Sequence, residues 1–371
     1  MKKEIYIIIG VIAIIAIVFV LYFNKNNEIN KDTTINIGVI LPLTGDAAVY
    51  GQAMKNGIML AYDESEIKEK INLIFEDDIG DNNKALSAAY SLINKKAVAI
   101  IGGAQSKTAD VLIPLLTKEK IPLVAPGASS VEFDNISHYF FRLWASDSYD
   151  GEIMADFITK QNMGNKIAIF YTNSKYGVGI DQVFEKAIKK RNGNIVFSES
   201  FSEGAKDFKT QLVKIKNNGA TALFLPGYYE EVSIIIKQIR ELGIKIDIYG
   251  TSSFHDEKLL SSLGNSLNGV YFSYPDFDIN GSKEATKQFA DNYYRKYSVK
   301  ADVFAANAYD CFKVIEYALK NGAKTSNDIR AKIAEIENFV GAGGNFSFDD
   351  FGSVLKEFSV YQIIDGKYLK F

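Results

Sequence analysis

Seven residues near the start of the chain's mixed-polarity region spell Ile35-Asn36-Ile37-Gly38-Val39-Ile40-Leu41. Apolar and β-branched residues dominate this run, which predicts a buried β-strand. Residues 50–62 follow it with helical periodicity, and the same order of strand and helix returns at residues 71–75 and 84–93. Repeated units of strand and helix predict an α/β fold in which helices cover both faces of parallel sheets.

The alternation continues along the rest of the chain. Further strands are predicted at residues 98–101, 122–125, 166–171, 195–198, 222–225 and 246–249. Parallel sheets of this kind bind ligands at the carboxyl ends of their strands. The loops that directly follow the strands are therefore the expected place for a binding site.

Composition limits the classes of function. The chain has 371 residues, of which 47% are hydrophobic and 23% are charged, as is typical of a globular protein. Its 42 basic and 45 acidic residues give a net charge of -3, which offers no general attraction to nucleic acid. One cysteine and two histidines cannot form a disulfide framework or the usual cluster of zinc ligands. We predict no metal and no cofactor.

The sequence also offers no catalytic constellation. Cys311 lies in an apolar helical stretch and is predicted to be a buried, inert thiol. His255 stands beside Asp256 without any nucleophile motif, so we interpret it as a structural residue. Because no nucleophile is paired with a base, we do not expect an enzyme.

The N-terminal segment differs from the rest of the chain. Residues 5–23 carry no charge and no proline, and as a helix they would span about 28 Å, close to the hydrocarbon thickness of a bilayer. Lys2 and Lys3 precede them and favour a cytoplasmic N-terminus, which puts the folded body outside the cytoplasm. We predict one transmembrane helix with a polar tether over residues 1–34, and hence a single-pass protein of the cell membrane.

A removed signal peptide is the alternative interpretation of this segment. Residues 24–32 contain neither a small-residue cleavage pattern nor a cysteine that could accept a lipid, which favours the uncleaved anchor. About 337 residues then remain for folding, a length that suits two lobes better than one core.

Two of the predicted loops are small and polar. They are Gly102-Gly103-Ala104-Gln105-Ser106-Lys107-Thr108 and Pro126-Gly127-Ala128-Ser129-Ser130. Backbone amides and hydroxyl groups converge in such loops and suit a carboxylate or another anion. No phosphate-binding motif is complete, because the first loop lacks the Walker lysine and residues 177–182 lack the third glycine of the dinucleotide fingerprint. Ordinary turn and cap residues remain the alternative for either loop.

An ordered set of short motifs extends over residues 35–371. Its members are Ile37-Gly38-Val39-Ile40-Leu41-Pro42-Leu43-Thr44-Gly45, Tyr50-Gly51, Gly57, Ile101-Gly102-Gly103 with Ser106, Ile121-Pro122-Leu123-Val124-Ala125-Pro126-Gly127-Ala128-Ser129, Phe141-Arg142 with Asp147, Tyr176-Gly177, Phe224-Leu225-Pro226-Gly227-Tyr228, Ala308-Tyr309-Asp310 and Gly344-Asn345-Phe346-Ser347-Phe348-Asp349 with Gly352. Taken together, the set resembles the branched-chain amino-acid-binding (Leu/Ile/Val-binding) family of periplasmic substrate-binding proteins, whose type I fold serves ABC importers.

The resemblance implies two doubly wound parallel-sheet lobes, joined by a three-segment hinge, with the ligand held between them. By motif order, one lobe comprises residues 35–145 and 273–340, and the other comprises residues 146–272 and 341–371. Closure of the hinge over the ligand is the mechanism that such a fold supports. ABC permease subunits and a small amino acid are the implied partners.

The family's ligand positions fall on eight residues of this chain. The resemblance implies hydroxyl contacts to a carboxylate from Ser106 and Ser129, a backbone contact from Ala128, a wall of the second lobe from Tyr176 and Tyr228, rim positions at Tyr50 and Gln105, and an ammonium position at Ser252.

Position 252 departs from the family pattern. Amino-acid binders usually place an acidic residue there, which pairs with the ammonium group of the ligand. Here the residue is Ser252, and Glu230, Glu231 or Asp256 are the nearby candidates to replace it. The ligand could instead lack an ammonium group, as aromatic or aliphatic carboxylates, amides and urea do. A sensory ectodomain acting with another membrane protein is the second class of function compatible with this fold.

Overall fold

The computed structural model describes residues 34–45, 47–161, 166–275, 277, 279, 281–356 and 358–371. The predicted membrane helix, residues 5–23, lies outside the described residues. Within the described part of the chain, no helix is both long enough and apolar enough to cross a bilayer.

The first part of the chain forms a five-stranded parallel sheet in the order β2-β1-β3-β4-β5. Its strands and the helices between them are β1 (Ile35–Leu41), α1 (Ala48–Asp63), β2 (Ile71–Asp77), α2 (Asn82–Asn94), β3 (Ala99–Ile101), α3 (Ser106–Glu119), β4 (Leu123–Ala125) and β5 (Phe140–Arg142). The last five residues of β1 are fully buried, as expected of a strand covered by helices on both faces. The elements predicted for this sheet are confirmed to within two residues.

The second part of the chain repeats this arrangement. Its elements are α4 (Asp147–Gln161), β6 (Lys166–Thr172), α5 (Lys175–Lys190), β7 (Asn194–Phe201), α6 (Lys209–Asn217), β8 (Ala222–Phe224), α7 (Tyr229–Glu241), β9 (Asp247–Gly250), α8 (Glu257–Leu263) and β10 (Tyr271–Pro275). The five strands are parallel and lie in the order β7-β6-β8-β9-β10. Both sheets are therefore doubly wound, as predicted.

The C-terminal part of the chain contributes to both halves. Its elements are α9 (Glu284–Tyr297), α10 (Val303–Lys320), α11 (Ser326–Ala334), β11 (Phe339–Gly341), β12 (Gly344–Phe348), β13 (Val354–Leu355), β14 (Phe358–Ile364) and β15 (Lys367–Lys370). The strands β14 and β15 extend the second sheet beyond β10 as antiparallel neighbours. The strands β11, β12 and β13 form a small antiparallel sheet of their own.

Helix α10 returns to the first sheet and packs against α1. The two helices approach so closely that a methyl group on Gly57 would lie 2.1 Å from the carbonyl oxygen of Ala305. Only glycine fits there without displacing backbone, which accounts for Gly57 in the middle of a helix. Cys311 lies in α10 and is buried, as predicted, and burial raises the pKa of its thiol well above the ordinary value.

Sheet membership bears on the predicted lobe boundaries. Strand β10 belongs wholly to the second sheet, whereas Phe346, Phe348 and Val354 pack in the core of the first sheet. We therefore propose that the second crossing follows Pro275, not residue 272, and that the third crossing lies after residue 355, not residue 340. The small sheet would then belong to the first lobe.

The strand orders predict where a ligand binds. In the first sheet the winding reverses between β1 and β3, and in the second it reverses between β6 and β8. Strand-end loops beside such a reversal leave a crevice at the carboxyl edge of the sheet.

Candidate ligand-binding site

Ser106 joins the two polar loops of the first sheet. It is the first residue of α3, and its Oγ accepts hydrogen bonds from the backbone N–H groups of Ser129 and Ser130, each at 3.2 Å. Because the oxygen is the acceptor in both bonds, the hydroxyl proton of Ser106 stays free to be donated. The predicted pair Ser106 and Ser129 is thus brought together.

A close backbone approach makes this juxtaposition possible. A methyl group on Gly127 would lie 2.4 Å from the carbonyl oxygen of Ala104, so glycine lets the loop after β4 lie directly on the loop after β3. Ala128 is fully buried behind the contact, while Ser106 and Ser129 are only partly covered.

Two tyrosines of the second sheet form a stacked pair. The rings of Tyr176 and Tyr228 have centroids 5.3 Å apart and an interplanar angle of 25°. The hydroxyl of Tyr176 lies 2.5 Å from Thr251 Oγ1, which fixes the ring, whereas Tyr228 is 44% exposed. An exposed aromatic face at a strand end can cover the apolar part of a ligand.

Tyr50 belongs to a second aromatic group. Its ring packs on Phe304 with centroids 4.9 Å apart, and Phe304 stacks on Trp144 at the same separation. Tyr50 is 39% exposed, and Trp144 is buried beneath the group. The sequence analysis did not single out Trp144 or Phe304, because they lie 160 residues apart and neither is in a strand-end motif.

Gln105 is the second residue predicted at the rim. A methyl group on Gly80 would lie 2.8 Å from its Oε1, so the side chain lies against the loop after β2. That oxygen is buried and has no hydrogen-bond partner within the described residues. Its contact with a ligand stays a prediction.

Ser252 contacts an acid that the sequence analysis did not consider. Its Oγ donates to Asp150 Oδ2 at 3.3 Å, and Ser273 Oγ donates to the other carboxyl oxygen of Asp150. Burial raises the pKa of Asp150 to about 7 in spite of these bonds. Asp150 lies in the first turn of α4, beside Asp147.

Asp147 is the more unusual of the two acids. It is 1% exposed, and neither carboxyl oxygen has a partner in good hydrogen-bond geometry within the described residues. Burial, together with the charge of Asp150, raises the pKa of Asp147 well above its usual value, although the Ser129 hydroxyl and Arg142 oppose the rise. The sequence analysis named Asp147 within a motif but gave it no role, and it did not name Asp150. The signal that could have assigned them one is their spacing, since acids three apart on a helix share one face.

The three acids expected to replace the carboxylate at position 252 are placed elsewhere. Glu231 accepts the backbone N–H of Gly204 at 2.7 Å, and Asp256 caps α8 by accepting from the N–H groups of Lys258 and Leu259. Glu230 is exposed. The acid that Ser252 contacts is Asp150, and a contact of any of the other three acids with a ligand stays a prediction.

An ion-pair group connects the two sheets across the site. Lys175, the first residue of α5, places its Nζ 3.0 Å from Asp110 Oδ1 on α3 and 3.0 Å from Glu132 Oε2 in the turn of Val131–Phe133. The hydrogen bonds that the Lys175 ammonium donates to Glu132 and Asp110 raise its pKa. Because α3 packs on the first sheet and α5 on the second, these contacts hold the two halves together.

His255 supports the structural interpretation made from sequence. Its imidazole stacks between the rings of Tyr274 and Tyr368, with centroids 4.0 and 4.2 Å away.

Comparison with known proteins identifies the family to which the chain belongs. The family model for periplasmic binding proteins matches residues 34–367. The chain belongs to the periplasmic binding protein family. It is 25% identical to a Leu/Ile/Val-binding protein homologue of Brucella melitensis, over 90% of this chain and 92% of the relative. The resemblance to the branched-chain amino-acid-binding proteins of type I fold is thereby confirmed.

Two solved structures are similar to this periplasmic binding protein over its length. One is a branched-chain amino acid transporter substrate-binding protein from Streptococcus pneumoniae in complex with isoleucine, with a TM-score of 0.80, 29% identity and coverage of 91% of this chain and 99% of that one. The other is a solute-binding protein of an ABC transporter from Rhodopseudomonas palustris in complex with 3,4-dihydroxybenzoic acid, with a TM-score of 0.79, 23% identity and coverage of 92% and 97%. The second likeness concerns the fold alone.

A first prediction concerns the hydroxyl pair. If Ser106 and Ser129 bind a carboxylate, Ser106→Ala or Ser129→Ala leaves a desolvated anion short of one donor, at a cost of about 1.5 to 3 kcal/mol. Calorimetry should then show affinity for the cognate ligand lowered roughly 10 to 150-fold. Ser87→Ala, at an exposed position of α2, serves as the control. Wild-type affinity in both site variants would refute the assignment.

A second prediction concerns Lys175. The pairs are half-exposed, so each should contribute no more than about 0.2 to 1 kcal/mol, and less at high salt. Lys175→Met should therefore weaken ligand binding by only a few fold, mainly through faster dissociation, and the difference from wild type should shrink in 0.5 M salt. Stopped-flow dissociation measurements test this, with Lys186→Met on the exposed face of the same helix as control. An unchanged dissociation rate at low salt would show that the pairs do not hold the closed form.

Proposed function

We propose that this chain is an extracytoplasmic solute-binding receptor that delivers a small amino acid, of the branched-chain kind, to an ABC importer. The observation that carries the proposal is the contact of Ser106 with the loop of Ser129, taken together with the stacked pair of Tyr176 and Tyr228 in the second half. Hydroxyl and amide donors on one side of a cleft and aromatic faces on the other suit a ligand with a carboxylate and an apolar body.

Binding would proceed by closure of the two lobes. The carboxylate of the ligand would accept bonds from the hydroxyls of Ser106 and Ser129 and from the loop amide at Ala128. The apolar body would then pack against the rings of Tyr50 and Tyr228. Closure would exclude water from these bonds and so strengthen them.

Lys175 supports the part of the proposal that concerns closure. Its two ion pairs join α5 to α3 and to the turn after Ser130, so they can form only when the lobes are near each other. A permease that binds both lobes would then distinguish the closed, loaded receptor from the open one. ABC permease subunits are the proposed partners.

A ligand without an ammonium group is the second candidate. It is favoured by Ser252, which stands where an acid would otherwise meet the ammonium, and by the aromatic surface of Tyr50, Tyr176 and Tyr228. An aromatic carboxylate would use the same hydroxyl pair and the same rings.

A screen of the purified full chain tests the receptor function. Amino acids, amides, urea and aromatic acids are added one at a time, and the midpoint of thermal unfolding is measured. A ligand present at 100 times its Kd should add about 2.7 kcal/mol to the free energy of unfolding. We expect a small branched amino acid to stabilise the protein and to be recovered unchanged. Consumption of the ligand would point to an enzyme instead.

The N-terminal anchor is part of the proposal. It rests on the uncharged run of residues 5–23 and on the absence of a cleavage pattern in residues 24–32. Membrane fractions should hold the full-length protein, with its body open to protease added from outside the cell. Recovery of a soluble form beginning near residue 30 would contradict the anchor and favour a removed signal.

A further inference from the structure

Two buried carboxyl groups at the start of α4 lie together without a cation of their own. Asp147 and Asp150 are each 1% exposed, and no ion pair links either one to a lysine or arginine among the described residues. Buried acids are ordinarily paired or bound to a cation, because the isolated charge is costly in a medium of low polarity. Each carboxyl oxygen of Asp150 accepts a hydrogen bond from a serine hydroxyl. Neither carboxyl oxygen of Asp147 has a hydrogen-bond partner in good geometry among the described residues.

The cation whose charge acts on Asp147, Arg142, is bonded to other groups. Arg142 is fully buried, and its guanidinium donates to Asp134, to Ser353 Oγ and to the carbonyl oxygens of Ser129 and Ser130. Its charge reaches Asp147 only at a distance and leaves both carboxyl oxygens free.

The pair adjoins both sides of the candidate site. The backbone N–H of Asp147 donates to the carbonyl oxygen of Ser129 at 2.8 Å, so the acid follows directly on the loop of the hydroxyl pair. The charges of Asp147 and Asp150 also reach the phenol of Tyr176 on the opposite wall. In an α-amino acid, one carbon separates the carboxylate from the ammonium. The hydroxyl of Ser129 suits the carboxylate, and the neighbouring carboxylate of Asp147 suits the ammonium.

We propose that the Asp147–Asp150 pair binds the ammonium group of the ligand, in place of the acidic residue that related amino-acid binders carry at the position of Ser252. Asp147 makes the contact. Asp150 adds the second charge and is held in place by Ser252 and Ser273. This inference rests on the proposed receptor function and narrows its ligands to compounds that carry an amine.

The pair makes binding depend on pH. The ammonium group is attracted to ionised carboxylates, and the pKa of Asp150 is raised to about 7. The groups whose charges act on the pair are Arg142 and Asp134 near Asp147 and the phenols of Tyr176 and Tyr228. Burial raises the pKa of Tyr176 well above its ordinary value and that of Tyr228 to about 12, so both phenols stay neutral. Affinity for an amine should thus fall as pH drops below about 7, approaching about tenfold per pH unit.

Ligand affinity should rise with pH, but the raised pKa values predict that the stability of the unliganded protein falls as pH rises. A carboxyl group with a raised pKa contributes stability that is present below its unfolded pKa, near 3.8, and that is lost as pH rises through its folded pKa, for Asp150 about 7. At pH 8 the ionised carboxylate of Asp150 therefore destabilises the fold, and removing that charge should raise the unfolding midpoint.

The test uses matched probes that differ only in the amine. L-Leucine is compared with 4-methylpentanoate, and L-phenylalanine with 3-phenylpropanoate, by calorimetry on the full-length wild type and on Asp147→Asn and Asp150→Asn. The control is Asp181→Asn, which removes a buried acid on α5 whose pKa is raised to about 6 and whose partner is Ser198. Each protein is measured at pH 5.5 and pH 8, and its unliganded unfolding midpoint is recorded at pH 8.

We expect the wild type to bind the amine-bearing member of a pair at least tenfold more tightly at pH 8, with the preference reduced at pH 5.5. Both site variants should lose at least tenfold in amine affinity while keeping or raising the unfolding midpoint, and the control should bind like wild type. The inference is overturned if the wild type binds the amine-free probes as tightly as their amine-bearing counterparts, or if both variants bind the amines as tightly as the wild type does. If no amine binds, the inference is also wrong; the receptor function then stands if the plain carboxylates bind, and falls if neither class does.

Discussion

The buried guanidinium of Arg142 is the contact on which the cleft depends. It donates to two successive carbonyl oxygens, at Ser129 and Ser130, and so sets the loop whose amides meet Ser106. Its Nε donates to Ser353 Oγ, which ties β5 to the end of the small sheet, and Asp134 supplies its counter-charge. A fully buried arginine is stable only when its donors are satisfied, so the loop, the small sheet and the start of α4 are held in one arrangement.

The same contact connects the anion-binding loop to the start of α4. The carbonyl oxygen of Ser129 accepts hydrogen bonds from the guanidinium of Arg142 and from the backbone N–H of Asp147. This one carbonyl group therefore links the loop that offers donors to an anion with the start of α4, where the two acids lie. The second half brings a different kind of surface, the rings of Tyr176 in the first turn of α5 and of Tyr228 at the N-cap of α7. The donors for an anion thus come from the loops of the first sheet, and the stacked tyrosines come from the second half.

The sequence predicted the parts of this arrangement that depend on local pattern. Buried strands, their helices and the polar loops of Ser106 and Ser129 follow from hydrophobic period and from residues that favour turns. The contact of Ser252 with Asp150 could not be predicted in this way, because residues 102 apart are brought together only by the winding of the second sheet. The same holds for Lys175 with Asp110, and for β12, whose alternating pattern does not tell which of two cores it will join.

The single cysteine has a practical consequence for observing the motion itself. Cys311 is sealed in α10 against α1, and its thiol resists ionisation, so reagents that attack thiolates will not modify it in the folded protein. New cysteines at exposed sites such as Lys84 on one half and Lys186 on the other would then be the only reactive thiols. A donor and an acceptor dye placed there can report the opening and closing of the cleft in single molecules, without first removing a native residue.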